Sequence, residues 1–233
     1  EYDENTDRIY WGLKFEADLI PEFKPYISYL VQRDHNNDES LNTIFGPMDF
    51  KYDSEYLSFG AAGTIGPQFT YTFEAVHETG HAMSSFDIDF LNLRIIEQTR
   101  NPIDAWAGSM TVAWAFRNRT NALVDMTLAV GTSDSDRLIS NGTIGGDAPS
   151  STDRAFNSLG YINTGLAFAP QIANLSMLRA GGSTAIPFDP KRPNAMRGGV
   201  DFFFFSKTNA DDVNSSPTTD DRWLGWEMDW KLD

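Results

Sequence analysis

The chain has 233 residues, 33 acidic and 18 basic, and a formal net charge of −15, which excludes a general basic field for nucleic acid or anionic lipid. It contains no cysteine, so neither a disulfide framework nor a thiolate metal site can form. No run of about 18 apolar residues occurs, which excludes a transmembrane helix but not barrel strands, whose hydrophobicity is diluted by alternation.

Residues 8–19 place Ile9, Trp11, Leu13, Phe15, Ala17 and Leu19 on one side and Arg8, Tyr10, Gly12, Lys14, Glu16 and Asp18 on the other. A period of two held this long predicts a strand with one apolar and one charged face. At about 3.3 Å per residue it spans roughly 40 Å, enough to cross a bilayer at a tilt. A weaker amphipathic strand follows over 25–33. Residues 34–53 read as a long polar loop. Strands over 54–65 and 68–76 flank a tight turn at Gly66-Pro67.

A second long connection covers about 78–102. Within it Phe86, Ile88 and Phe90 alternate with Asp87 and Asp89, while L-N-L-R-I-I-E-Q fits a strand or a short helix equally. Strand 104–116 carries Trp106, Met110, Val112, Trp114 and Phe116 on one face, and strand 122–130 follows a short turn at 117–121. Residues 132–152 form a third long loop, and 155–172 have no clean period. A strand is expected over 173–186 with a slip or bulge near 179–182. Strands 199–207 and 224–232 close the series.

The pattern thus recurs about nine times, with short turns at one end and long loops at the other, as in outer-membrane barrels. A soluble sandwich would show shorter strands, of about five or six residues, and no such alternation. The polar face mixes charges with many Gly, Ala, Ser and Thr, while the apolar face carries Trp and Phe toward strand ends as an aromatic girdle would. The reading is an all-β fold: a single antiparallel transmembrane β-barrel domain over 1–233, incomplete at both ends. No signal peptide is visible. A Lys or Arg facing lipid at mid-depth costs about 2–4 kcal/mol, so the inward charges should line water. Arg8, Lys14, Glu16, Asp18, Glu74, Asp125, Asp201, Lys207, Glu227, Asp229 and Lys231 are the candidate pore-lining residues.

His77-Glu78-Thr79-Gly80-His81 matches the H-E-x-x-H zinc-protease pattern, whose chemistry needs a helix so that both His face one metal. The period-two residues leading into it favour a strand end entering a polar loop. In a strand the two His lie about 13 Å apart, too far to share a zinc. Zinc peptidase is therefore a minor alternative, and neither catalysis nor a cofactor is expected. The Asp pairs at 134/136, 211/212 and 220/221 lack the ligand spacing of an EF-hand and read as solvated loop acids.

F-T-Y-T-F-E-A-V (69–76), I-D-A-W-A (103–107), L-A-V-G-T-S-D-S-D (128–136) and L-G-W-E-M-D-W (224–230) resemble the alginate-export family of outer-membrane β-barrels. The resemblance implies a barrel of about 16–18 strands, of which this chain supplies roughly half. Two features depart from the family: the last strand lacks a terminal aromatic, and the acidic chain does not suit a polyanion. The expectation is an outer-membrane channel for small hydrophilic solutes or an exported polysaccharide, with 155–172 as its constriction. The alternative is a structural barrel enclosing a protein partner such as a secreted chain or an electron carrier. The partners expected are outer-membrane lipid and the solute, with no nucleic acid; a homo-oligomer also fits.

Overall fold

A computed structural model describes residues 8–18, 20–35, 41–43, 46–89, 91–92, 94–117, 120–137, 146–160, 162–186, 196–212 and 221–232. The strands are β1 (Arg8–Glu16), β2 (Lys24–Asp34), β3 (Leu41–Thr43), β4 (Gly46–Met48), β5 (Tyr52–Ile65), β6 (Phe69–Met83) and β7 (Asp87–Asp89). They continue with β8 (Arg94–Ile96), β9 (Arg100–Ala115), β10 (Leu123–Gly131), β11 (Ser176–Ala185), β12 (Arg197–Ser206) and β13 (Trp223–Leu232). No helix forms among the described residues.

Nine strands make one antiparallel meander in the order β1-β2-β5-β6-β9-β10-β11-β12-β13. The sheet is open: among the described residues β1 and β13 do not pair with each other. Connections at 17–23, 66–68, 116–122 and 186–196 join strands at one end. Longer connections at 35–51, 84–99, 132–175 and 207–222 join them at the other. β3/β4 and β7/β8 are small hairpins within the first two long connections.

Alternation sorts the side chains into two faces that register carries unbroken across the sheet. One row reads Ala61, Phe73, Met110, Leu128, Leu178, Phe204 and Trp226. The next reads Gly63, Tyr71, Val112, Met126, Ala180, Phe202 and Met228. This apolar face is bare, with Trp11, Phe15, Phe59, Met126 and Trp230 all exposed. On the opposite face the core gathers Tyr52, Tyr56, Ile103, Ala105, Met177, Phe203 and Phe205 beneath Phe156, Ile172 and Leu175 of the third long connection. That connection therefore lies across the polar face as a second layer.

Several expectations are corrected. β6 runs on through His77–His81 to Met83, because Gly80 at φ +136° lets the strand pass within contact of the Asp53 carbonyl instead of breaking. Residues 94–96 are extended in the β7/β8 hairpin, so the short-helix option for L-N-L-R-I-I-E-Q fails. β11 pairs with both neighbours without a slip at 179–182, and the register shift falls at Phe205/Ser206 instead. β1 ends at Glu16, leaving Asp18 in the turn; Leu19, Phe90 and Asp220 lie outside the described residues.

Candidate functional site

The polar face is built from strand parity. Asp125, Gly181, Asp201 and Asp229 stand opposite one another on β10, β11, β12 and β13. Like charges side by side repel, and the glycine resolves this. A Cβ on Gly181 would sit 2.4 Å from Asp201 Oδ1 and 2.9 Å from Arg179 Nη2. The vacant space admits the guanidinium of Arg179, which donates to Asp125 and, at 2.7 Å, to Asp201 Oδ1. Lys231 pairs with the other oxygen of Asp201. Gly181→Val is expected to displace Arg179 and lower stability by about 1–3 kcal/mol, read as a shift in the urea midpoint of refolded protein.

The remaining candidate residues separate into groups. Arg8 donates to Asp34 at 3.0 Å, Lys14 pairs with Glu16 at 2.8 Å, and Asp18 pairs with Lys24 at 2.8 Å. All three are near the β1 edge. Glu74 faces the same side from the middle of β6, against Tyr26. Lys207 does not line this face: it lies past the end of β12, is buried, and donates to the Ala210 carbonyl at 2.9 Å.

Glu227 and Asp229 are committed to the overlying segment. The backbone N–H groups of Leu166, Ala167 and Phe168 donate to Glu227 at 2.8, 2.7 and 2.9 Å, and that of Leu166 also approaches Asp229 at 3.2 Å. A positive φ at Gly165 and Ala169 turns these consecutive donors toward one carboxylate. Far across the sheet, Glu78 of β6 holds the other end. It accepts from the Asn157 N–H at 2.7 Å and the Tyr52 hydroxyl at 2.6 Å. The Tyr56 hydroxyl lies between Glu78 Oε1 at 2.9 Å and the Asn157 carbonyl at 2.7 Å, its single proton serving one at a time. The stretch expected as a constriction, 155–172, thus spans the polar face from β6 to β13.

Its root is fastened at the long-loop end. Asp153 bridges β9, donating its N–H to the Pro102 carbonyl and accepting from the Asp104 N–H, each at 2.9 Å. Its buried carboxylate meets Arg137 at 2.9 Å. Burial pushes the Asp153 carboxyl up to about 6, even though the Arg137 guanidinium beside it and a hydrogen bond from the Ala155 N–H pull the other way. A carboxyl raised in the folded state favours folding below its unfolded value, near 4, and loses that contribution as pH rises through about 6. The urea midpoint should accordingly rise on acidification between about 6 and 4, and Asp153→Asn should flatten that part of the profile.

The H-E-T-G-H stretch is divided between the faces. His77 and His81 lie on the bare side, and His77 stacks on Trp106 at 4.1 Å while its Nε2 meets Asp104 at 2.9 Å. Glu78 points the opposite way and is fully buried. The helix that the zinc chemistry needs is not formed. Among the described residues no three His, Asp or Glu side chains gather as metal ligands.

Two central residues, Glu78 and Arg179, were not among the expected site residues. Parity alone would have placed both on the polar face: Glu78 two and four positions beyond Val76 and Glu74, and Arg179 two before Gly181. A strand ended too early concealed one and an assumed slip concealed the other.

The sequence matches no family model, and it matches no curated protein.

Proposed function

We propose that the chain is part of an outer-membrane β-barrel that gives small hydrophilic solutes a passive aqueous pathway, narrowed by the segment 147–175. One observation carries the reading: between the levels of Trp106 and Trp114 the bare face is apolar across nine strands, while at those levels the opposite face holds the charged network of Asp125, Arg179, Asp201 and Lys231. That is the reverse of a water-soluble sheet, whose uncovered side is the charged one.

The dimensions support it. Trp106 and Trp114 stand eight positions apart on β9, about 26 Å along the strand, or about 20 Å of depth at the usual tilt. Past Trp106 the bare face turns polar, with ion pairs Arg33–Glu55 and Arg100–Asp53. Aromatics stand at both limits: Tyr29 and Trp106 at one, and Phe69, Trp114 and Trp230 at the other. Open edges cannot face lipid, since each unpaired N–H or C=O costs several kcal/mol there. β1 and β13 run in the same direction, so an all-antiparallel closure takes an odd number of further strands between them.

On this reading the lumen side is acidic in balance, which favours neutral and cationic solutes over a polyanion such as alginate. The absence of cysteine makes a direct test simple. Single cysteines replacing Lys14 and Glu16 should react with a membrane-impermeant maleimide, whereas those replacing Met126 and Leu128 should stay unlabelled, because a thiol held in hydrocarbon does not ionise to the reactive thiolate. Planar bilayers holding the full-length protein should conduct steadily, with a cation preference that falls when Glu16 and Asp229 are neutralised. Water-soluble labelling of Met126→Cys in liposomes would refute the barrel.

A further inference from the structure

We infer that the space between the sheet and the overlying segment is a binding site for a small organic cation with an apolar body. A cavity of about 320 Å³ lies there, within the range of about 300–1,000 Å³ typical of small-molecule sites. Val76, Phe156, Leu159 and Ile162 supply an apolar wall. Glu74, Tyr56 and the serines Ser28, Ser58, Ser109 and Ser158 supply the polar groups, and Glu74 is the single charged side chain among the described lining residues.

The carboxylate is presented rather than neutralised. Glu74, Gly60, Tyr26 and Glu16 stand in one row across β6, β5, β2 and β1. A Cβ at position 60 would fall 2.3 Å from Tyr26 Cζ, so the bare glycine lets the Tyr26 ring lie across β5 toward the strand that carries Glu74. The ammonium of Lys14 sits over that ring, 4.3 Å from its centroid, and is paired with Glu16. A neutral phenol beside the carboxylate leaves its charge uncancelled. An incoming ammonium group would complete a charge-assisted hydrogen bond there, with its apolar body against Val76, Phe156 and Ile162. A carboxylate on the same body would meet Glu74 as a like charge.

The pathway reading enters only in how such a solute arrives, so the test avoids conductance. Phenethylamine and phenylacetate, matched in shape and opposite in charge, are equilibrated by dialysis against the folded full-length protein in micelles, with protein-free micelles as the blank. Saturable binding of phenethylamine is expected, with phenylacetate weaker by about tenfold or more. Glu74→Gln should reduce phenethylamine binding by about tenfold, and Ala107→Phe should abolish it by filling the cavity with the carboxylate intact. Far-UV circular dichroism verifies that each variant keeps its sheet. Equal binding of the two probes, no binding of either, or unchanged binding by folded Glu74→Gln would overturn the inference and leave the pathway reading standing.

Discussion

Met126→Arg is expected to destabilise the protein refolded into bilayers by about 2–4 kcal/mol, the cost of a cation on the lipid side near mid-depth. Met126 lies at the centre of β10 in a row that is apolar from Tyr71 to Met228, and 47% of its surface is uncovered. Being exposed among the described residues, that position lets a longer side chain extend outward, so the penalty comes from the medium. Thr79→Arg provides the control: it faces the same side of β6, but in the row that holds Glu55 and Asp104 beyond the apolar band. Near the interface the cost falls to about 0–1 kcal/mol. Urea titration in lipid vesicles reads both. In water an exposed Met126→Arg would change stability by no more than about 0.5 kcal/mol, and that result would sink the barrel reading.

The strands were legible because alternation is a local signal that the sheet does not override. Trp11, Leu13 and Phe15 already show which side of β1 is apolar, and the pairings extend that side through all nine strands. Strand ends were less legible. Beyond the apolar band the strand turns polar, so residues 77–83 read as loop although β6 continues through them. The same loss of contrast at Arg179-Ala180-Gly181-Gly182 suggested a slip, where Gly181 in fact makes room for the Arg179–Asp201 pair of a regular strand. Least legible was the seating of 147–175. Its contacts join residues as far apart as Glu78 with Asn157 and Glu227 with Leu166, which no periodicity records. What the sequence did offer was the lack of any period over 155–172, and this sufficed to mark that stretch but not its anchors.

Those anchors can be separated by mutation. Glu78→Leu keeps the volume of the side chain but removes the acceptor for the buried Tyr52 hydroxyl and the Asn157 N–H. Each stranded donor costs about 1–3 kcal/mol, so the total loss for the two is expected at about 2–6 kcal/mol. Glu78→Gln retains one oxygen and should cost about half as much. Glu227→Ala acts at the other end, on a carboxylate that is partly open to solvent, and should free the turn at 164–168 with a smaller effect on the urea midpoint. Amide exchange distinguishes the two. Glu227→Ala should expose the Leu166, Ala167 and Phe168 amides while Asn157 stays protected, whereas Glu78→Leu should release Asn157 first. If the segment narrows the pathway, both variants raise single-channel conductance, because either end swinging clear of the polar face widens the space above it. Higher exchange at 166–168 with unchanged conductance would mean that the segment braces the sheet without limiting flow.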